Sequence, residues 1–448
     1  MSLPLPADEL VTADRNHLLH PFLPGNAPGR VVMVRGEGCR LYDAEGRSYL
    51  DATAGMWLCQ IGHGRTEPVE AAHRQLSRLA YTSSFWEFSN DTTIALARRL
   101  ARISPPGVQR ALFTTGGSEG NELALRMARL YHHRTGSPRR TWILSRSTAY
   151  HGAGYGAGGV SGFPELATGT GPQLPHVAHL TAPDPYRFGP DAEERLTDHC
   201  LTELEQVIGR IGPGNIAAMI GEPVMALAGM VAPPPDYWPR VSALLRHHGI
   251  LLILDEVVTA WGRLGAWFAG PVMGAVADIT VTSKGLTSGY FPLGAVLPTE
   301  RIADVLLGDG GFPAGHTYCG HPVGCAVALA NLDVIERDQL LGAADDLGPY
   351  LDKALAPLAD LPIVGEVRRT GLMCAVDLVA DRATRASLPN GTYALADAVR
   401  ARTGVLVRGG PHALTFTPPL VMSRAEGDEL ARALADVLHS AHADGTHG

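Results

Sequence analysis

The sequence predicts an α/β protein with a large, mostly parallel sheet domain and a smaller α+β domain. Three observations support this fold class. Residues 31–50 alternate apolar and polar side chains between turns, and from about 90 to 300 short apolar runs alternate with helix-length amphipathic stretches. From 321, a long helical segment leads into a mixed region. A chain of 448 residues, 45% of them hydrophobic, is long enough for more than one domain.

The first predicted element is a small antiparallel meander at 31–50, with turns at 36–38 and 44–46. The next are buried strands, because each short apolar run is flanked by a helical pattern, as in a parallel sheet covered on both faces. These runs are 111–115, 141–145, 216–223, 250–257, 278–283 and 293–298. The stretch 152–190 is rich in Gly and Pro and predicts an extended loop.

The last predicted elements belong to the smaller domain. A helix begins near 321, and strands are expected at 371–378, 404–408 and 413–417. We expect three parts along the chain. They are an N-terminal segment that contributes to the small domain (1–59), the large domain (60–320), and the linking helix with the C-terminal small domain (321–448).

Composition excludes several classes of partner. The net charge is −8 and no dense Lys/Arg cluster occurs, which argues against nucleic acid. The sequence has neither a signal-peptide pattern at its start nor an apolar run of about 18 residues, so we expect no membrane partner and a cytoplasmic location. The six cysteines lack CxxC spacing, which predicts neither a disulfide framework nor a zinc site.

Only two of the 37 basic residues are lysines, Lys284 and Lys353. Wherever a plain positive charge suffices, this sequence uses arginine. A guanidinium stays protonated and cannot act as an amine nucleophile, so a lysine retained against this bias is a candidate for chemistry. Lys353 lies in a helical surface pattern and is interpreted as a solvated charge, which leaves Lys284 as the candidate.

Polar residues follow four of the predicted strands, at 116–119, 150–152, 255–256 and 284–285. Open α/β sheets bind ligands at the carboxyl ends of their strands, so we expect these residues to lie close together. The segment 116–119 also opens a helix. The four groups together are suited to one cofactor, pyridoxal 5′-phosphate (PLP).

The amides and hydroxyl of Gly117 and Ser118, at a helix N-terminus, would bind the cofactor's phosphate. Lys284 would condense with its aldehyde as a Schiff base, and burial would lower the pKa of this amine. Asp255 would keep the pyridine nitrogen protonated, which makes the ring an electron sink. The two ring faces would contact Tyr150 and Val257.

At these residues the sequence resembles the class III (ω-type) aminotransferases of PLP fold type I, and the resemblance covers nearly the whole chain. Several segments match in the right order, which makes the resemblance specific. The matching segments are 55–64, 113–129, 149–152, 221–224, 251–265, 282–296 and 316–329.

The resemblance implies further roles. Glu222 would orient the cofactor's ring and its aspartate. Thr317 would bind phosphate from the neighbouring subunit, which makes a homodimer obligatory and leaves a tetramer of paired dimers open. Arg408 falls where a mobile arginine of related amine transaminases pairs with a substrate carboxylate. The substrate pocket would be lined by Trp57, Phe85, Tyr150, Trp261 and Arg408.

Two positions depart from the family pattern. Gly120 stands where the family usually has alanine, and we expect it to loosen the first turn of the helix slightly. The segment 367–373 matches only weakly, so Arg368 receives no role.

The implied reaction is a ping-pong transfer of an amino group from a primary amine or ω-amino acid to a keto acid, with pyruvate as the expected acceptor. Lys284, once freed, would move a proton from the substrate carbon to the cofactor. Aminomutases, epimerases and a decarboxylase share this scaffold and stay open as alternatives. A PLP-fold protein without catalysis is a third hypothesis, which the retained Lys284 argues against.

Three rival motifs are weaker. Residues 250–258 resemble a Walker B strand, but neither lysine is preceded by glycine as a P-loop requires. Residues 154–159 fit GxGxxG, yet they do not directly follow a strand and no clear helix opens from them, which favours a glycine-rich loop. The histidine pairs 132–133 and 247–248 lack HExxH spacing, so we expect solvated or capping roles rather than metal binding.

Overall fold

The computed structural model describes residues 6–443 except 25, 26, 28, 190 and 309. The helices are α1 (Ala7–His17), α2 (Ala54–Trp57), α3 (Thr66–Arg78), α4 (Asp91–Ile103), α5 (Gly117–Arg134), α6 (Tyr155–Val160), α7 (Pro185–Phe188), α8 (Ala192–Ile211), α9 (Tyr237–His247), α10 (Ala269–Val272), α11 (Glu300–Leu306), α12 (Pro322–Arg337), α13 (Ala343–Leu355), α14 (Tyr393–Thr403) and α15 (Arg424–Ala443). The strands are β1 (Met33–Glu37), β2 (Arg40–Asp43), β3 (Ser48–Asp51), β4 (Leu112–Thr114), β5 (Trp142–Arg146), β6 (Val177–Leu180), β7 (Ile216–Gly221), β8 (Leu251–Asp255), β9 (Ile279–Thr282), β10 (Gly294–Pro298), β11 (Val364–Thr370), β12 (Met373–Asp381), β13 (Ala386–Ser387), β14 (Val405–Leu406) and β15 (Ala413–Phe416).

The large sheet has the order β4-β10-β9-β8-β7-β5-β6 within the described residues. The pairs from β9 to β6 are parallel, and β10 runs antiparallel to both of its neighbours. All six apolar runs predicted as strands lie in this sheet. The predicted fold class, a large and mostly parallel sheet with a smaller domain, is therefore confirmed.

The interpretation of 152–190 as one extended loop was wrong in part. This stretch contains α6, the edge strand β6 and the short helix α7. β6 has four residues and gains its pairing only from β5, so tertiary contact rather than local pattern determines it. A helix also opens within the GxGxxG match, because α6 begins at Tyr155. Its N-terminal amides, those of Gly156 and Ala157, donate to Glu122 at 2.8 and 2.9 Å.

Both faces of the large sheet are covered, as the continuous apolar strands require. One core joins α5 to side chains such as Ile143, Ala218 and Ile253. The other joins α8 and α9 to the alternate side chains of the same strands, such as Leu144 and Met219. Every residue of β7 and β8 is buried. The sheet is thus a rigid platform, and its carboxyl edge carries the loops between strands and helices.

Gly120 lies where α5 crosses β9. A Cβ atom on Gly120 would be 2.7 Å from Cγ1 of Val281, far inside contact distance. Glycine at this position therefore lets the helix approach the strand closely. The expectation that Gly120 merely loosens the first turn missed this packing role.

His132, on the last turn of α5, is buried, and its Nε2 lies 2.9 Å from the carbonyl oxygen of Ala217. The expectation of a solvated or capping histidine was wrong here, because the end of α5 still packs on β7. Its neighbour His133 is exposed. Lys353 is exposed on α13, as the sequence predicts.

The N-terminal and C-terminal parts of the chain share a second sheet with the order β1-β2-β3-β14. The predicted meander is confirmed, because β1, β2 and β3 pair antiparallel. β14 adds to it by pairing parallel with β3. A third sheet contains β11, β12 and β13, with β15 on β12; the sequence patterns predicted neither β11 nor β13. The domain boundaries at 59/60 and 320/321 stay a prediction.

All six cysteines are free and buried. No helix in the described part of the chain is long and apolar enough to cross a membrane.

Candidate active site

Asp255 is the last residue of β8, and its carboxylate is buried. Its Oδ2 accepts hydrogen bonds from Nδ2 of Asn121 at 2.7 Å and lies 2.8 Å from Nδ1 of His151. Its Oδ1 accepts from the amide of Val257 at 3.1 Å. These three contacts from three elements fix the carboxylate's orientation at the carboxyl edge of the sheet.

Glu222 follows β7 and is also buried. Its carboxylate accepts the amides of Tyr150 at 3.1 Å and Ala226 at 2.9 Å, which ties the loop after β5 to the loop after β7. Burial raises the pKa of Glu222, and the neighbouring charge of Asp255 adds to this effect. The two carboxyl groups therefore lie in one low-dielectric region.

The N-terminus of α5 begins at Gly117 and has no side-chain cap. Its amides are thus available to an anion, which the helix dipole also favours. A Cβ on Gly117 would be 2.6 Å from Cγ2 of Val257, and one on Gly152 would be 2.6 Å from Oγ of Ser118. Glycine at both positions lets three segments close around this helix end. Glu119 turns away, because its carboxylate accepts from Thr115.

Lys284 opens the 3₁₀ turn Lys284–Leu286 that follows β9. Its φ of 45° lies in the left-handed region, which costs an L-residue about 1–2 kcal/mol. Burial lowers the pKa of its amine, against the opposing charges of Asp255 and Glu222, which raise it. Within the described residues, Nζ makes no hydrogen bond and lies 5.8 Å from the ring centroid of Trp57. A buried amine of lowered pKa without a partner is suited to nucleophilic chemistry.

We call Asp255, Lys284 and the N-terminus of α5 the lysine–aspartate centre. It presents a fixed carboxylate, a nucleophilic amine and an anion site. These groups match the pyridine nitrogen, the aldehyde and the phosphate of PLP in chemical type. The residues present therefore fit this cofactor.

Arg408 and Trp57 form a second part of the site. Cζ of Arg408 lies 4.8 Å from the ring centroid of Trp57, a cation–π contact. Burial lowers the pKa of Arg408. Its guanidinium makes no hydrogen bond or ion pair with the residues that the structure describes, whereas its backbone is paired with Thr415 at 2.9 and 2.8 Å. We call Trp57, 226–229 and 408–413, which line one cavity, the Arg408 wall.

The loop that carries Trp57 is held by Asp51, which is fully buried. Ala54, Gly55 and Trp57 all have positive φ angles, of 48°, 71° and 65°. The carboxylate of Asp51 accepts from the amide and hydroxyl of Thr53 and from the amide of Gly55, and it lies 2.8 Å from Nε2 of His63. This network stabilises an otherwise strained loop.

Trp261, Phe85 and Thr317 are three further predicted site residues, and each lies in different surroundings. Trp261 is fully buried in the core, and its indole donates to Oγ1 of Thr282 at 2.7 Å. Phe85 packs beneath Gly315, and Thr317 is exposed, with its carbonyl accepting from the hydroxyl of Tyr81 at 2.7 Å. No hydrogen bond or ion pair links Phe85 or Thr317 to the lysine–aspartate centre among the described residues.

The sequence interpretation assigned no role to Asn121 or His151, although both lie in segments that it singled out. His151 follows the assigned Tyr150, and Asn121 lies one helical turn after the assigned Gly117 and Ser118, and this proximity was the available signal. Their convergence on Asp255 depends on how α5 and the loop after β5 meet, which spacing alone does not show. Arg368, also left without a role, is paired with Asp377 and donates to the carbonyl of Gly229 in the Arg408 wall.

The profile of the family described as "Aminotransferase class-III" matches residues 24–438. The chain belongs to this family. It is 36% identical to the putrescine–pyruvate aminotransferase of Pseudomonas aeruginosa, over 93% of this chain and 92% of that protein. It is also 36% identical to the diaminobutyrate–2-oxoglutarate transaminase of Halomonas elongata, over 94% and 93%.

Among solved structures, a thermostable (S)-enantioselective ω-transaminase from Thermomicrobium roseum is similar, with 44% identity and a TM-score of 0.95. The match covers 98% of this chain and 99% of that one. Class III aminotransferases depend on PLP, so PLP is the cofactor of this aminotransferase. Its fold is PLP fold type I, and its activity is the transfer of an amino group from an amine donor to a keto acid.

Proposed function

We propose that this aminotransferase takes the amino group of a primary amine or ω-amino acid and passes it to pyruvate, with Lys284 as the reacting lysine. The observation that carries the proposal is the lysine–aspartate centre, where a buried amine without a partner shares one edge of the sheet with a fixed carboxylate. When PLP is bound, its ring withdraws electrons from the substrate carbon that loses a proton.

The chain's own residues divide this work. Asp255 holds a positive charge at the ring nitrogen, and Asn121 and His151 hold Asp255 in place. Gly117 and Ser118 bind the phosphate at the helix end. Lys284 carries the proton between the substrate carbon and the cofactor, which its lowered pKa favours, because a neutral amine can accept a proton.

Glu222, Tyr150 and Val257 complete the proposed cofactor contacts. Glu222 binds the amide of Tyr150 and so fixes the start of the loop that places this ring. Val257 is fixed by the hydrogen bond that its backbone N–H donates to the carboxylate of Asp255, and it packs on Gly117. Tyr150 and Val257 would therefore contact opposite faces of the ring from positions that the loops after β5 and β8 determine.

Arg408 is proposed to bind the carboxylate of the keto acid and of carboxylated donors. Its guanidinium lies against the Trp57 ring and makes no hydrogen bond or ion pair with the described residues, so it is available to a substrate carboxylate. A keto acid would then pair with Arg408 in one half-reaction, and an uncharged amine would not need this pairing in the other. Pyruvate is the proposed acceptor because segments 55–57 and 286–296 resemble those of pyruvate-using members of the family. Two relatives of equal identity do not decide the question, since one is named for pyruvate and the other for 2-oxoglutarate.

We further propose a homodimer in which Thr317 of one subunit contributes to its neighbour's site. The proposal is supported by the exposed surface around this residue. Thr317 and Tyr318 are exposed, and so are Trp86 and Phe88 on the adjoining segment. Exposed aromatic side chains of this density are typical of an interface. A cytoplasmic location stays part of the proposal, and the six free cysteines are compatible with it.

The experiment that tests the reaction is a half-reaction on the purified holoenzyme. Adding putrescine or an ω-amino acid without a keto acid should remove the visible absorption band of the cofactor and produce a near-ultraviolet band. Pyruvate should then restore the visible band and yield alanine. Lys284→Arg is expected to abolish both steps, since a guanidinium cannot replace the amine. Turnover of Lys284→Arg at the parental rate would contradict the proposal.

Subunit mixing tests the shared site. Lys284→Ala and Thr317→Ala dimers are each expected to be impaired, but a hybrid dimer contains one site with both native side chains. Mixing under conditions of subunit exchange should therefore give more activity than either parent. If Thr317 served its own subunit's site, the hybrid would show no gain.

A further inference from the structure

α12 carries one fully buried amide on an otherwise apolar face. Asn331 has no exposed surface, and the residues around it in the helix, Ala328, Leu332 and Ile335, are buried and apolar. A polar group in such a position destabilises the fold unless it is hydrogen-bonded. Its partners therefore indicate why this position is not apolar.

Both partners belong to the turn that follows Lys284. Nδ2 of Asn331 donates to the carbonyl of Gly285 and to that of Leu286, each at 2.9 Å. Only the amide nitrogen can satisfy two carbonyl oxygens, so the orientation of the side chain is determined by its contacts. Its Oδ1 has no partner among the described residues. Thus only Nδ2 is satisfied, and every hydrogen bond of this side chain among the described residues goes to this turn.

The turn needs external support. Lys284 has a φ of 45°, and the bonds within the turn run from the amide of Leu286 to Ser283 at 3.0 Å and from the amide of Thr287 to Lys284 at 3.2 Å. A residue in this conformation persists only where its surroundings over-determine it. Asn331 supplies two further bonds from a separate element, the long helix α12.

A second element restrains the same turn. A Cβ on Gly285 would be 2.5 Å from Nε2 of Gln60, so this buried side chain packs directly on the turn. Gln60 is itself oriented by Arg263, whose Nη2 donates to its Oε1 at 2.6 Å and whose Nη1 donates to the carbonyl of Pro418. The turn is therefore bonded by Asn331 and packed against Gln60, neither of which belongs to it.

We propose that Asn331 is a positioning residue for Lys284. By bonding the carbonyls of Gly285 and Leu286, it holds the backbone of Lys284 in its left-handed conformation, which sets the direction of the amine relative to Asp255. It touches neither substrate nor cofactor. This inference rests on the role of Lys284 in the proposed function.

The test compares holoenzyme variants. Asn331→Leu keeps the length and branching of the side chain and removes both donors. We expect kcat of the amine half-reaction to fall about 10- to 100-fold, the effect of misplacing a reacting group, while KM of the donor changes less than about threefold. The pH midpoint of the visible cofactor band should also shift, because the geometry around the lysine nitrogen changes. Asn331→Ser, too short to reach both carbonyls, decides the question if Asn331→Leu does not fold.

Val334→Ala is the matched control, since Val334 is buried on the same helix and makes no bond to the turn. It should lower thermal stability without moving kcat or the midpoint. Folded Asn331 variants with parental kcat and midpoint would overturn the proposal, as would a control that shifts the midpoint equally. Borohydride reduction of the wild type followed by peptide mapping separates the two ideas. A cofactor label on any residue other than Lys284 refutes the proposed function, whereas a label on Lys284 with unchanged Asn331 variants refutes only this inference.

Discussion

The lysine–aspartate centre and the Arg408 wall both border Trp57, yet they are built differently. In the centre, three contacts fix Asp255, and both hydrogen bonds and packing restrain the turn of Lys284. In the wall, the backbone of Arg408 is paired, but its guanidinium makes a cation–π contact and no hydrogen bond among the described residues. The carboxylate proposed to hold the cofactor's ring is fixed by hydrogen bonds, whereas the guanidinium proposed to recognise substrates makes none with the described residues.

The largest effect is expected in the lysine–aspartate centre. Asp255→Asn should lower kcat/KM at least about 100-fold, because a neutral amide cannot stabilise a protonated ring nitrogen in a buried site. Steady-state kinetics with saturating cofactor measures it. Asp278→Asn is the control, since Asp278 precedes β9 at the opposite edge of the sheet and pairs with Arg301. If both variants lost activity equally, the special role of Asp255 would be refuted.

The next largest effect is expected in the Arg408 wall. Arg408→Ala should lower kcat/KM for carboxylated substrates about 10- to 100-fold, the loss of a charged hydrogen bond worth about 1.5–3 kcal/mol. Uncharged amine donors should change little in the half-reaction. Arg400→Ala, a surface arginine paired with Asp397, should change neither. An equal loss for charged and uncharged donors would assign Arg408 a structural rather than a recognition role.

A smaller effect tests the close packing beneath the centre. Gly120→Ala should destabilise the fold by about 1–3 kcal/mol, because the added methyl overlaps Val281. Adding Val281→Ala should restore part of this loss. The matched control is Gly209→Ala in α8, where a Cβ meets nothing within 4 Å, and it should stabilise by about 0.4–1 kcal/mol. Chemical denaturation of the apoprotein measures all three, and a stabilised Gly120→Ala would disprove the packing argument.

The smallest expected effect is a pH dependence of the apoprotein. Because burial lowers the pKa of Lys284 below 10.5, the unfolded chain binds this proton more tightly than the folded chain does. The free energy of unfolding should therefore rise with pH between the lowered pKa and 10.5. Lys284→Met should flatten this rise, whereas Lys353→Met, at an exposed position, should preserve it. Identical pH profiles for wild type and Lys284→Met would contradict this interpretation.

Much of the fold could be predicted because its central strands have strong local signals. The apolar runs ending at Asp255 and just before Lys284 are buried on both faces, so hydrophobicity alone reveals them. β6 and β11 have no such signal, since their pairing partners determine them. A weak local pattern therefore does not exclude a strand.

The site residues also divide into those with a local sequence signal and those that only their contacts reveal. Asp255 and Lys284 were predictable from strand ends and residue type. Asn121, His151 and Asn331 are ordinary polar residues in helices and loops, and they gain significance only from what they contact. His132 shows the opposite error, because a polar residue near a helix end was taken as solvated when the neighbouring strand covers it.

The parallel pairing of β14 with β3 has a consequence for how the protein is made. Trp57 follows β3 and Arg408 follows β14, so these two members of the Arg408 wall come from opposite ends of the chain. During translation the strands of the large sheet leave the ribosome before Arg408 does, and domains generally fold as units, N-terminal first. A nascent chain can thus complete the platform for the cofactor while the part of the site that selects substrates does not yet exist.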